Sequence, residues 1–251
     1  MIEGSLNDGL LTLRLAHGKA SALDLELCEA LRSKLEAAAG SDEVRAVILT
    51  GKGAIFSAGV DLPRLVERGP AYVQPFVEAL EAALRALFLF PKPAVAAVNG
   101  HAIAGGAILA FACDARLMSG GRIGVPELLV GVPFPPLALE IVRFAIPAQH
   151  LQSMVLFGRT IDAATAHSMG IIDEMLTPDT LEARAVEMAI QLAAVSPIAF
   201  RLTKRQLREP YLRDAAAIAA DSADEIDQQW SAPATHQRIR AYLAKTLGKK
   251  S

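Results

Sequence analysis

Between Val98 and Ala110 the sequence reads VNGHAIAGGAILA, an apolar stretch interrupted by Gly100, Gly105 and Gly106. The AVAAV run that leads into it, Ala94–Val98, has the composition of a buried strand, and a helix is expected from near Gly105. A glycine turn between strand and helix leaves unpaired backbone N–H groups at the helix start. Glycine permits positive φ and lets another atom come close to that backbone, and the helix dipole adds partial positive charge there. Such a point can receive an oxyanion or a phosphate. Close packing of a helix on a strand would ask for the same glycines, so both readings stand on this segment alone. The segment is neither G-x-G-x-x-G nor a P-loop, since it lacks the Lys and Ser/Thr of the latter.

A second segment tilts the balance. FSAGVDL, Phe56–Leu62, also comes after a strand pattern and also exposes backbone through Gly59. Two turns after neighbouring strands can aim two amides at one oxygen, which is what an oxyanion hole requires. The remaining chemistry is sparse. Cys28 and Cys113 are far apart in the chain, no C-x-x-C is present, and the five histidines form no ligand-spaced cluster. No metal or redox cofactor is expected.

The elements that must hold these turns can be read from pattern. LLTLRL alternates as a strand does, and Ala22–Ala39 reads as a helix with Leu23, Leu27, Leu31 and Leu35 on one face. Val44–Gly51 is a buried strand, Ala71–Phe90 a helix ended by Pro91 and Pro93. This order is that of an α/β domain with crossover connections. After Pro178 four helices are expected, over Leu181–Val195, Ile198–Arg208, Tyr211–Gln229 and Ala234–Leu247. A soft boundary near Ser196–Pro197 divides a core, residues 1–195, from a helical region, 196–251. With 52% hydrophobic and 21% charged residues, the 251-residue chain can bury a large core. A net charge of −2 offers nucleic acid and anionic membranes no attraction. No signal arrangement opens the chain and the most apolar run is a poor membrane span, so a cytoplasmic protein in a reducing compartment is expected.

In their order, FSAGVDL, KPAVAAVNGHAIAGGAILAFACDARL, IGVPELLVGV, FGRTIDAATAHSMGIIDEML and SPIAFRLTKRQL resemble the crotonase superfamily, the enoyl-CoA hydratase/isomerase family, over nearly the whole chain. The resemblance implies an α/β fold, a crotonase-like spiral of repeated β-β-α units with a C-terminal helical trimerisation region, the trimers often paired as hexamers. It implies an acyl-CoA substrate of the kind met in fatty acid metabolism, with coenzyme A as part of the substrate and no separate cofactor. Carried over by position, the amides of Val60 and Gly105 stabilise a thioester enolate. Ser21, Ala22 and Leu23, with Ser57, Ala58 and Asp61, fall where the family holds the CoA moiety.

The family's hydratases use two glutamates. The first position is occupied here by Ile108, an apolar residue against the substrate; the second is Glu127. One carboxylate beside an enolate-stabilising hole can remove a proton next to the thioester and return it further along the dienolate. That is isomerisation of a 3-enoyl-CoA to a trans-2-enoyl-CoA. Phe134 and the neighbouring prolines would make a dry wall that raises the pKa of Glu127. The aspartate that dienoyl isomerases carry eight residues beyond Glu127 is replaced by Pro135. A hydratase using Glu127 with Glu140 as substitute partner, and a silent CoA-thioester binding protein, are the competing readings. Without the resemblance, Glu127 reads as a first-turn residue favouring the helix dipole, and Glu140 as a surface or interface residue. His101 lines the pocket at most, and His150 and His167 are structural or exposed. Asp114 bonds to backbone, and Arg201, Lys204, Arg205 and Arg208 form a solvated helix face.

Overall fold

The computed structural model of the chain describes residues 1–247. A hairpin of β1 (Ile2–Asn7) and β2 (Leu10–Leu15) leads to helix α1 (Leu25–Gly40). A β-β-α unit then recurs. Strand β3 (Ala46–Gly51) is succeeded by β4 (Ile55–Ser57), α2 (Leu62–Arg68) and a further helix, α3 (Pro70–Phe88). Next come β5 (Ala94–Val98), β6 (His101–Ile103) and α4 (Gly105–Ala112), and then β7 (Ala115–Met118), β8 (Arg122–Gly124) and α5 (Glu127–Val130). The first strand of each unit enters a six-stranded sheet and the second a four-stranded sheet. Within the smaller sheet β4, β6 and β8 lie side by side and parallel. The backbone therefore leaves all three strands at one edge, where the three turns into α2, α4 and α5 meet. The structure is the expected crotonase-like spiral.

The rest of the chain closes this frame. Helices α6 (Pro136–Ala145) and α7 (Ala148–Leu156) precede β9 (Thr160–Asp162), α8 (Ala163–Ser168) and β10 (Glu174–Met175). Strand β9 joins the small sheet antiparallel to β8, and β10 joins the large sheet beside β7. Helices α9 (Leu181–Ala193), α10 (Pro197–Ser231) and α11 (Pro233–Leu247) complete the described residues. Strands β3 and β5 are buried along their whole length, as parallel strands covered on both faces must be. Their alternation feeds two cores. Val47, Leu49, Ala96 and Val98 join the main core with α1 and α3, whereas Ala46, Ile48, Val95 and Ala97 pack with Leu181, Ala185 and Ala189 of α9. Among the described residues no single helix is long and apolar enough to cross a membrane.

Three expectations need correction. Helix α1 starts at Leu25, not Ala22, because Asp24 caps it by accepting from the Leu27 amide at 2.8 Å. The two helices expected over Ile198–Arg208 and Tyr211–Gln229 are one, running through Pro210. Pro210 is exposed, so the backbone bond it removes lies on the water side of the helix. The basic stretch is not a solvated face. Arg201 and Arg205 are exposed, but Lys204 and Arg208 are buried.

Their i,i+4 spacing turns both cations toward Asp114. Its Oδ2 accepts from Lys204 Nζ at 2.7 Å and from the Ala94 amide at 2.8 Å, and its Oδ1 from Arg208 at 2.8 Å. Arg208 also donates to the carbonyls of Phe88 and Cys113 and lies over the rings of Phe88 and Phe144. Burial pushes the Lys204 ammonium down to about 8, against the pull of Asp114. Asp114→Ala would strand two buried cations, at a cost of about 3–5 kcal/mol. Denaturant titration should show that loss; an unchanged midpoint would mean α10 is held by its apolar contacts alone.

Candidate active site

The edge where β4, β6 and β8 end assembles three groups. Leu23 forms a parallel bridge to Val60: its amide donates to the Gly59 carbonyl at 2.8 Å, and its carbonyl accepts from the Asp61 amide at 2.9 Å. In a parallel bridge the flanking residues make the bonds, so the N–H of Val60 points away from Leu23. The Gly105 amide is the first of α4 and has no carbonyl a turn earlier to bond. The two turns touch. A Cβ on Gly59, which has φ +80°, would lie 2.6 Å from the Ile103 carbonyl oxygen and 3.2 Å from the Gly105 nitrogen. One on Gly105 would lie 2.8 Å from Leu23, and one on Gly106 would collide with the Ser57 backbone. Between them Ala104 is held at φ 52°, ψ −127°, a conformation that costs an L residue on the order of 1–3 kcal/mol. Close packing and exposed amides are thus one feature.

Glu127 begins α5, three residues after β8. It is 7% exposed, and its Oε2 is buried without a hydrogen-bond partner. Burial pushes its carboxyl up to about 8, with a small opposing effect from its own amide. A first-turn residue serving the helix dipole would face water; this one does not. Its carbonyl accepts from the amides of Gly131 and Val132, closing the single turn of α5, with Gly131 left-handed at φ 92°. Val132, Phe134 and Pro135 beyond it are buried. Ile108 is buried one turn after Gly105. The arrangement can bind an oxyanion at two amides and exchange a proton at one carboxylate.

The residues expected around CoA come together, but mostly as scaffold. Ser57 Oγ donates to the Ser21 carbonyl at 2.7 Å, and Ser21 Oγ to the Leu15 carbonyl at 2.9 Å. Leu23 is buried, and Asp61 caps α2 by accepting from the Arg64 amide at 3.0 Å. Ala22 and Ala58 keep accessible surface. A network that the sequence did not suggest braces this loop. Buried Asp24 takes His17 Nε2 at 2.6 Å and Arg64 at 2.5 Å, and Arg64 also pairs with Glu26 and lies over Tyr72.

Glu140 is buried rather than on the surface, and its Oε1 takes Arg143 at 2.6 Å, beside Asp214 of α10. That pairing uses only Oε1; its Oε2 is buried without a hydrogen-bond partner. His101 and His167 are exposed, and His150 is half-buried against Gln149. What sequence reasoning missed is α11. It packs on α2 and α5, with the stem of Arg238 against Gly131, and carries the buried His236. Its amphipathic pattern marks a helix but not what the helix covers.

The sequence profile described as enoyl-CoA hydratase/isomerase matches residues 5–245. The chain belongs to that family. A putative enoyl-CoA hydratase of Thermus thermophilus is 34% identical over 75% of this chain and 76% of its own. The solved Mtb enoyl-CoA isomerase is 32% identical with a TM-score of 0.77, covering 86% of this chain and 94% of its own. The crystal structure of human mitochondrial delta3-delta2-enoyl-CoA isomerase shares the fold throughout, with a TM-score of 0.93 at 23% identity, covering 100% of this chain and 99% of its own. Names in the family therefore divide between two reactions, and the site has to choose.

The glycine turns and the buried base each set a measurable expectation. Gly106→Ala should lower enoyl-CoA turnover by about 100-fold, because the start of α4 must move off the Ser57 turn and misaim an amide. Gly40→Ala, where an added methyl meets nothing within 4 Å, should leave turnover unchanged in the same steady-state assay. The buried Glu127 also costs stability. Its folded pKa, about 8, lies above the ordinary 4.5, so the proton it keeps stabilises the native state fully below 4.5, and that contribution is lost as pH rises through 8. Glu127→Gln should therefore melt progressively higher than the parent across that window, by about 1.4 kcal/mol per pH unit at most. Thermal melts at pH 5 and pH 8.5 showing a constant gap would contradict this.

Proposed function

We propose that this family member isomerises 3-enoyl-CoA to trans-2-enoyl-CoA with Glu127 as its only acid–base group. The observation that carries the proposal is the pairing of a buried Glu127 carboxylate, its Oε2 unpartnered, with apolar Ile108 at the position of the hydratases' other glutamate. The thioester oxygen accepts from the amides of Val60 and Gly105. As the Glu127 carboxylate takes the proton from C2, negative charge moves onto that oxygen, and the two donors are already aimed there. The resulting dienolate carries electron density at C4. Glu127, now a carboxylic acid, returns the same proton to C4, and the double bond comes to rest between C2 and C3. No water enters the balance, and none is needed in a wall of Phe134, Val132 and Pro135.

A carboxylate raised to about 8 is a stronger base than an ordinary one and suits a weakly acidic C–H. Hydration asks for a second group to handle the proton of water; Ile108 cannot, and Glu140 has one oxygen paired with Arg143 and its other buried. In the same reading CoA enters as part of the substrate, over the Ser21–Leu23 and Ser57–Asp61 loops, with no further cofactor, in the cytoplasm. Ile198 and Leu202 leave neighbouring apolar side chains exposed on one face of α10, which suits assembly into homotrimers or pairs of them.

Purified protein should convert 3-hexenoyl-CoA to the conjugated thioester and leave 2-hexenoyl-CoA unhydrated. Its kcat/KM should rise with pH and level off above about 8, as the base loses its proton. Glu127→Gln should slow the conversion by about 1,000-fold or more. Rapid formation of 3-hydroxyacyl-CoA by the parent would refute the single-base mechanism.

A further inference from the structure

Helix α11 lies across α2 and α5. Helix α2 starts two residues after Val60, and α5 starts with Glu127, so α11 packs on the two elements that follow the oxyanion turn and carry the base. Its inward stripe has helical spacing. Thr235, His236 and Ile239 are buried, and Tyr242 and Leu243 pack half-buried on the core. Two polar groups beside it are satisfied. Thr235 Oγ1 accepts from Gln229 at 2.8 Å, and Trp230 Nε1 donates to the Pro133 carbonyl at 3.0 Å. His236 differs: it is 6% exposed, and its Nε2 is buried with no partner. Such a group costs about 1–3 kcal/mol, which an apolar residue of similar size would avoid.

Glu127 Oε2 is likewise buried and unpartnered, so the two do not satisfy each other. We propose that His236 is a specificity residue whose Nε2 pairs with an oxygen function on the acyl chain, remote from the thioester. Imidazole donates or accepts according to tautomer, so a hydroxyl or a carboxylate would serve. The enzyme's preferred substrates are then oxygen-bearing enoyl-CoAs rather than plain alkenoyl ones. The alternative, a wholly apolar lining, is what Ile108, Val130 and Phe134 supply elsewhere.

This rests on the acyl-CoA reading above, and the test separates the two by measuring binding rather than turnover. Saturated acyl-CoAs of four, six, eight and ten carbons are titrated calorimetrically, each unsubstituted, ω-hydroxylated and ω-carboxylated. At one chain length the parent should bind an ω-oxygenated ligand about tenfold more tightly than its unsubstituted counterpart. His236→Leu should abolish that preference without weakening the unsubstituted ligand, and His236→Gln, which keeps a donor and an acceptor, should retain part of it. The hydroxyl and carboxylate series tell which oxygen is read. Equal binding at every length, or a preference that survives in His236→Leu, overturns the assignment. If His236→Leu does not fold, the parent's preference and its retention in His236→Gln decide. Failure of every acyl-CoA to bind would instead bring down the acyl-CoA reading itself.

Discussion

The site depends on how closely two turns of backbone approach each other. The Ser57–Val60 turn and the Ala104–Gly106 turn leave adjacent strands of the small sheet, and they touch where Gly59, Gly105 and Gly106 have no Cβ. Any side chain at those points would push the turns apart, and with them the Val60 and Gly105 amides that the proposed mechanism aims at one oxygen. Strain at Ala104 is the local cost of that arrangement. It is tolerated because β4, β6 and β8 are locked side by side, and because β3 and β5 behind them are buried on both faces. Donors fixed in this way need no reorganisation as charge develops.

The base is a second tension in the same frame. Folding removes Glu127 from water without giving its Oε2 a partner, which disfavours the charged form and raises its proton affinity. A carboxyl in that state is a liability for stability and an asset for abstracting a proton from carbon. Ile108 completes the effect: one turn after Gly105, where another carboxylate would share the proton, the chain presents a buried aliphatic surface. In the proposed isomerisation the chemistry depends as much on this dry residue as on the charged one.

The C-terminal helices give the frame its closure. Asp114 gathers Lys204 and Arg208 from α10 into the core, which fixes the long helix against β5 and α3. The chain then turns at Ala232, and α11 comes back over α2 and α5. The far end of the chain thus packs on the elements around the site, and it brings His236 there with a buried, unpartnered Nε2.

Elements with local signals were legible in the sequence. The β-branched runs of β3 and β5, the apolar face of α1, the stop at Pro91 and Pro93, and the two glycine turns all rest on periodicity or on the sterics of single residues, which neighbours in the chain suffice to set. The exchange of a carboxylate for Ile108 was legible for the same reason, since identity at a position needs no geometry. Which charges lie buried was settled only by folding. Lys204 and Arg208 find Asp114 some 90 residues away, and Glu140 finds Arg143 within its own helix but is enclosed by α10. Ser57 and Asp61 turned out to spend their side chains on the scaffold, and α11 to cover the site. Burial of a polar group is a balance between desolvation and partners supplied from distant segments, and that balance exists only once the chain has folded.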